Sequence, residues 1–381
     1  MRVLNYIILL FCCLFFPITA IGADITENLS ISGTATTVYQ WLKMSKGYMD
    51  EEKTKKREDR GSAVIDFNVS FRPIENGEFF TRWSFAKGSG FKSEGSQYPF
   101  SLSPNADDLF VDLKNINNHP RDHLLELWYS HKFELMKDTT LKLTAGVIDA
   151  GAFIDDNKYA GDEIAQFMNE VFVHSPLANL PSYDLGLAGE LEIGDFHLRA
   201  VGIRSKNDDD RRYNWIGGQI GYRIDTPLGE GNYRLYGYVT NKRFFDWDEE
   251  GQKALKGIGV SFDQELIKES VGAFFRWAVQ DTKARDAYFK SMYSIGVNLS
   301  GGIWGRKDDE VAVGYAYLRA PHNNENIRSS QVIEGYVKFK LFSYKSISSD
   351  ISFDYQHVRE KAREEGTKSA NIYGVRFNVH F

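Results

Sequence analysis

The sequence predicts an all-β chain, a transmembrane antiparallel β-barrel of about sixteen strands with short periplasmic turns and long extracellular loops. Three observations lead there. Apolar and polar residues alternate with a period of two in segment after segment, which gives strands with two unlike faces. Short and long connections between those segments alternate strictly. The chain ends on such a strand, Tyr373 to Phe381, in which Tyr373, Val375, Phe377, Val379 and Phe381 interleave with Gly374, Arg376, Asn378 and His380. In water its apolar face would be an uncovered sheet edge, whereas in a membrane that face meets lipid and the edge pairs with the first strand.

The amino-terminal end agrees. Met1 and Arg2 start a short basic region, residues 3–23 carry no charge, and the apolar block Ile7–Phe16 is broken by Pro17. Ala20-Ile21-Gly22 supplies small residues for cleavage, so residues 1–22 read as a secretory signal and 23–381 as one barrel domain. The block is shorter than the roughly 20 residues of a spanning helix. Cys12 and Cys13 are the chain's 2 cysteines, and both leave with the signal, which excludes disulfides, thiolate metal sites and cysteine nucleophiles from the mature chain. Removing Arg2 moves the formal charge from -6 to -7, with no basic excess for nucleic acid. Aromatic residues make up 14% of the chain, enough to edge a barrel with girdles.

Taken in order, Leu29–Leu42 is the first strand, and a charged loop runs from Lys43 to Arg60. Ala63, Ile65, Phe67, Val69 and Phe71 alternate with Asp66, Asn68, Ser70 and Arg72, before a tight turn containing Pro73 and Asn76-Gly77. Phe79–Phe85 and Leu125–Phe133 flank the second long loop, Lys87–His123. Leu141–Val147 leads into the third, 148–183. Beyond it, paired strands follow with the same rhythm to Phe381. Sixteen strands of about 10 residues, eight turns of about 6 and eight loops of about 18 account for roughly 350 residues, leaving no second domain. A soluble all-β protein would also alternate, but would not need one-sided long loops.

A barrel of sixteen strands is too wide for side chains to fill and leaves an aqueous channel, so passage of a solute is the expected function. The third loop reads Asp149-Ala150-Gly151-Ala152-Phe153-Ile154-Asp155-Asp156-Asn157-Lys158-Tyr159-Ala160, then Gln166-Phe167-Met168-Asn169. With Val332-Ile333-Glu334-Gly335-Tyr336, Ser352-Phe353-Asp354-Tyr355-Gln356 and the terminal Phe381, it resembles the carbohydrate-selective porins of the OprB type. That resemblance implies an outer-membrane sugar porin that works as a monomer or trimer and meets outer-membrane lipids and the barrel-assembly machinery. The terminal strand Tyr373, Val375, Phe377, Val379 and Phe381 is then its assembly signal.

Independently of that resemblance, a sugar presents hydroxyls that donate and accept together with apolar C–H faces, so its path wants charges of both signs and aromatic rings. The inward faces carry Arg72, Arg82, Arg199, Arg234, Arg276 and Arg376 with Glu126, Glu334, Asp350 and Asp354. The third loop adds Asp155, Asp156, Asn157, Tyr159, Gln166 and Asn169 as a candidate constriction. An anion channel would instead show a one-signed ring. The inward charges also read as cross-strand pairs that hold the lumen's shape. Asp155-Asp156-Asn157 lacks the spacing of a calcium loop, and no metal or cofactor is expected. No Gly-x-Ser-x-Gly, His-Glu-x-x-His or P-loop occurs, so catalysis is not expected. A channel for another cargo, an exported polysaccharide or an anion, is the alternative.

Overall fold

In the computed structural model, residues 23–45, 57–111, 115–116, 119–120, 123–364 and 366–381 are described. The signal-peptide reading of residues 1–22 lies outside them, as does most of the first long loop. Sixteen long strands form the wall. They are β1 (Leu29–Met44), β2 (Arg57–Ile74), β3 (Gly77–Gly88), β4 (Leu124–Met136), β5 (Thr139–Ile148), β6 (Asp184–Ile193), β7 (Phe196–Lys206) and β8 (Arg212–Thr226). The second half comprises β9 (Gly229–Thr240), β10 (Lys256–Ile267), β11 (Val271–Gln280), β12 (Ser291–Ser300), β13 (Glu310–Arg319), β14 (Ile327–Tyr344), β15 (Ile347–Ala362) and β16 (Thr367–His380). The short strand Ala23–Thr26 adds to the start of β1.

Each strand pairs antiparallel with the next, and β16 returns to pair with β1 from Thr34↔His380 to Met44↔Ala370, so the sheet closes and has no free edge. The expected barrel is therefore the observed one. Strands reach 18 residues in β2 and β14, longer than a bare crossing needs, so they project beyond the bilayer.

Alternation fixes which face is which. On the outside Leu187, Ile216 and Ile258 are 67%, 59% and 52% exposed, which only a lipid surround makes favourable. The short turns suit their residues: Asn76 (φ 64°) and Asp138 (φ 59°) take the left-handed backbone that Asn and Asp tolerate.

The interior departs from a uniformly wet lumen. In β11–β16 many inward residues are apolar, with Phe274, Met292, Leu318, Val332, Val358 and Ile372 all buried in one cluster with Phe91, Phe100, Phe167 and Phe172. The reason is that the second and third loops fold back into the barrel, turning that stretch of wall into a protein core instead of a water-facing surface.

Candidate pore constriction

The third loop, 148–183, is laid along the inner wall by hydrogen bonds from strand side chains to its backbone. At its start, Asp155 adopts φ 65° and is fully buried with Arg276 of β11, Nε to Oδ1 3.1 Å. Arg276 also donates to the carbonyls of Phe172 (2.8 Å) and Asp155 (3.1 Å), while Ser175 N donates to Asp155 Oδ2 at 2.6 Å. One ion pair thus ties both ends of the loop to one strand. Further along, Asn157 Nδ2 donates to Ser261 Oγ and to the Phe262 carbonyl on β10, both at 3.1 Å. Asn298 of β12 donates to the Tyr159 carbonyl at 3.3 Å. The Tyr159 ring lies over Gly272, where a Cβ would come within 2.0 Å of it, so a larger residue there would push the ring aside. Gln166 folds back to donate to the Lys158 carbonyl at 2.8 Å.

The loop then crosses to the closing strands. Arg376 Nη1 of β16 donates to the Gln166 carbonyl at 2.9 Å. Glu334 of β14 accepts from the backbone N–H groups of Met168 (2.6 Å) and Asn169 (3.1 Å). Asn169 Nδ2 donates to Gln356 Oε1 at 3.0 Å, and its Oδ1 caps the short helix α1 (Glu170–Val173). Asp354 accepts from Gln356 Nε2 at 3.0 Å. The loop is thereby fastened to β10–β12 and β14–β16. Asp155, Asn169, Arg276, Glu334 and Arg376 lie beneath the loop at 1% exposure or less, where they hold it in place.

The second loop meets it from the other side. Gln40 of β1 and Gln356 of β15 both donate to the Pro104 carbonyl, at 2.9 and 2.8 Å. Ser62 of β2 donates to the Leu109 carbonyl at 2.6 Å. The two loops join edge to edge, Ala106 N to Met168 O at 2.9 Å and Glu170 N to Ser103 O at 3.2 Å.

Two vestibules flank this partition. One, of about 820 Å³, is lined by Lys92, Tyr98, Glu170, Tyr288, Glu360 and Lys368. The other, of about 670 Å³, is lined by Asp66, Arg82, Asp149, Glu163, His174 and Tyr183 among others.

A ladder of charges that alternates in sign runs across β5–β10, from partly exposed Lys142, Glu190, Arg199 and Asp156 to buried Arg234 and Asp263. Lys142 Nζ lies 3.3 Å from Glu190, Glu190 3.3 Å from Arg199 Nε, and Arg199 Nη1 3.0 Å from Asp156. Asp156 is then 3.1 Å from Arg234 Nε, and Arg234 Nη1 2.6 Å from Asp263. Burial alone would raise the Asp156 carboxyl, but the Arg234 and Arg199 guanidiniums outweigh it and hold the group below its ordinary 3.8. Burial and the nearby Arg276 charge push the His174 imidazole down to about 4. On the neighbouring strands, Arg82 of β3 pairs with Glu126 of β4 at 3.2 Å, and its Nε donates to Asn68 Oδ1 at 2.9 Å.

Beside that pair stand residues that the sequence reading passed over. Phe80 and Trp128 share the inward face with Arg82 and Glu126. Their rings stack at 4.8 Å and 23°, with Trp128 Nε1 donating to Glu126 at 3.0 Å. Parity was the available signal, since each lies two residues from an inward charge. Lys142, Glu190 and the whole second loop were likewise outside the expected site. On the closing strand Tyr373 is exposed on the outer face, Phe377 and Val379 are covered, and Phe381 exchanges backbone hydrogen bonds with Gly33 at 2.8 and 3.0 Å. Among the described residues no group of three or more His, Cys, Asp or Glu is placed to hold a metal ion.

Comparison with known proteins follows the same lines. An uncharacterized protein of Aquifex aeolicus (strain VF5) is 28% identical over 327 residues, covering 84% of this chain and 90% of that one. The high-pH structure of Pseudomonas putida OprB superposes with a TM-score of 0.70 at 12% identity, covering 93% of this chain and 94% of that one. In vitro folded OmpT, an outer membrane protein of Vibrio cholerae, gives a TM-score of 0.53 at 11% identity over 95% of this chain and all of that one (100%). Residues 202–356 match the family described as carbohydrate-selective porin, OprB family. The chain thus has the closed β-barrel fold of the porins, and the second half of its wall is similar to the carbohydrate-selective porin, OprB family.

Proposed function

We propose that the barrel passes mono- and oligosaccharides down their gradient through an aperture set by the second and third loops, acting as a channel and not as an enzyme. The observation that carries this is the ladder Lys142, Glu190, Arg199, Asp156, Arg234, Asp263, three cations and three carboxylates in alternation. Lys142, Glu190, Arg199 and Asp156 stay partly exposed and offer donors and acceptors to hydroxyls, while buried Arg234 and Asp263 complete the pairing, so the row presents no net charge to attract or repel an ion. The inward rings of Phe80 and Trp128 supply an apolar face for the C–H side of a pyranose, flanked by Arg82 and Glu126 for its hydroxyls. Asn157, Tyr159 and Gln166 support the loop from the β10–β12 side, and Asp155, Asn169, Arg276, Glu334, Asp354 and Arg376 act through its position.

Planar-bilayer conductance tests the reading. Added glucose or maltose should lower the ion current at concentrations that leave a general porin unaffected, with a cation-to-anion permeability ratio near unity. Trp128→Ala should weaken that block by the few-fold that one ring contact of about 0.5–1.5 kcal/mol supplies. Strong anion selectivity without sugar block would favour the anion-channel alternative instead.

A further inference from the structure

We propose that the outer wall at the long-loop rim, from β13 through the closure seam to β3, binds the phosphates of an anionic glycolipid in the outer leaflet. Lys43, Arg57, Lys87, Arg319, Arg359 and Lys361 are all exposed there. Each shares the face of a lipid-belt residue on its own strand: Trp41 with Lys43, Ile65 with Arg57, Phe85 with Lys87, Val313 with Arg319, and Tyr355 with Arg359 and Lys361. Among the described residues none of the six makes an ion pair, in a chain whose formal charge is -6. The carboxylate that shares this face, Asp59, accepts from the Tyr39 hydroxyl at 3.1 Å.

The opposite rim is built otherwise. There the belt ends on exposed Ile74, Leu135, Ile267 and Leu341, and cations such as Lys137, Lys268 and Lys345 sit singly on turns. The two faces of the bilayer thus meet different surfaces, as an asymmetric membrane with its phosphorylated amphiphile on one side requires.

Register defines the densest part. Arg319 is opposite Ser329, and Ser329 opposite Lys361, so the two cations lie two strands apart, about 10 Å at strand spacing. Arg359 sits two residues below Lys361, about 7 Å away, between Gln331 and Ser369. Three donors on rigid strands, interleaved with hydroxyl and amide side chains, suit a phosphate monoester, and an arginine can engage it bidentately. Tyr317 and Tyr355 lie just beneath, at the depth where amphipathic rings mark the headgroup boundary.

Native mass spectrometry of the full-length barrel in detergent, titrated with bis-phosphorylated lipid A, tests the site. The parent should retain lipid adducts, and the triple variant Arg319→Gln, Arg359→Gln, Lys361→Gln should retain about tenfold fewer. Arg319→Lys with Arg359→Lys should keep them in part. Unchanged conductance and heat-modifiable gel mobility would show that the variant is folded. Equal retention by parent and triple variant, equal binding of the dephosphorylated lipid, or full competition by millimolar inorganic phosphate would each overturn the proposal.

Discussion

Asp156 touches more of the candidate path than any other residue of the third loop, because two arginines from different strands and the Gln219 amide converge on its carboxylate. Asp156→Asn would remove one charge from the ladder and leave Arg199 and Arg234 in excess. The expected outcome is a shift toward anion preference, read as a change of reversal potential in a salt gradient, with weaker sugar block; an unchanged reversal potential would take Asp156 out of the permeation path. Arg276 has a different weight. With Asp155 fully buried against it, Arg276→Met leaves an uncompensated carboxylate, a loss of about 3–5 kcal/mol. Larger, noisier conductance should follow in bilayers. Adding Asp155→Asn to Arg276→Met should recover part of the loss, because the stranded charge is gone.

At the scale of elements, the strands were legible and the loops were not. Period two survives in β2, β7 and β16 because one side meets lipid and the other meets polar groups. It fades in β11 and β14, where Phe274 and Val332 point inward into the packed loops. The second loop gave no sign of entering the barrel. Phe91, Phe100, Leu102 and Leu109 are apolar, but a loop has no fixed repeat to reveal which side they face. The charged candidates were found by parity, yet parity does not tell a side chain beneath a loop from one on the open wall. Asp155 and Asp156 are neighbours in sequence and opposite in exposure for that reason.

The third loop also carries a pH response. His174 titrates near 4 in the folded loop and near 6.5 when released, so the fold prefers the neutral ring. Its contribution is intact above pH 6.5 and is lost as pH falls toward 4, by about 3 kcal/mol in all. Open-channel noise should therefore grow between pH 7.5 and pH 4.5, and His174→Phe should flatten that dependence. Parent channels equally quiet at both pH values would count against it.

Over the whole molecule, closure depends on the last residues. Phe381 and Gly33 exchange backbone hydrogen bonds where the last strand meets the first, and the Phe381 ring packs over Gly33. Deleting Phe381 should slow insertion into liposomes several-fold without changing the conductance of barrels that do form, a split measurable by gel mobility against time. Equal insertion rates would leave the aromatic terminus without an assembly role.

The seam between Ala106–Met168 and Ser103–Glu170 has a consequence for how such a protein can diversify. Because two segments from different hairpins share one hydrogen-bonded border, lengthening either alone strands amides that its neighbour had satisfied. A new cargo size would therefore be reached by exchanging both segments together, as a matched cassette grafted onto an unaltered cylinder.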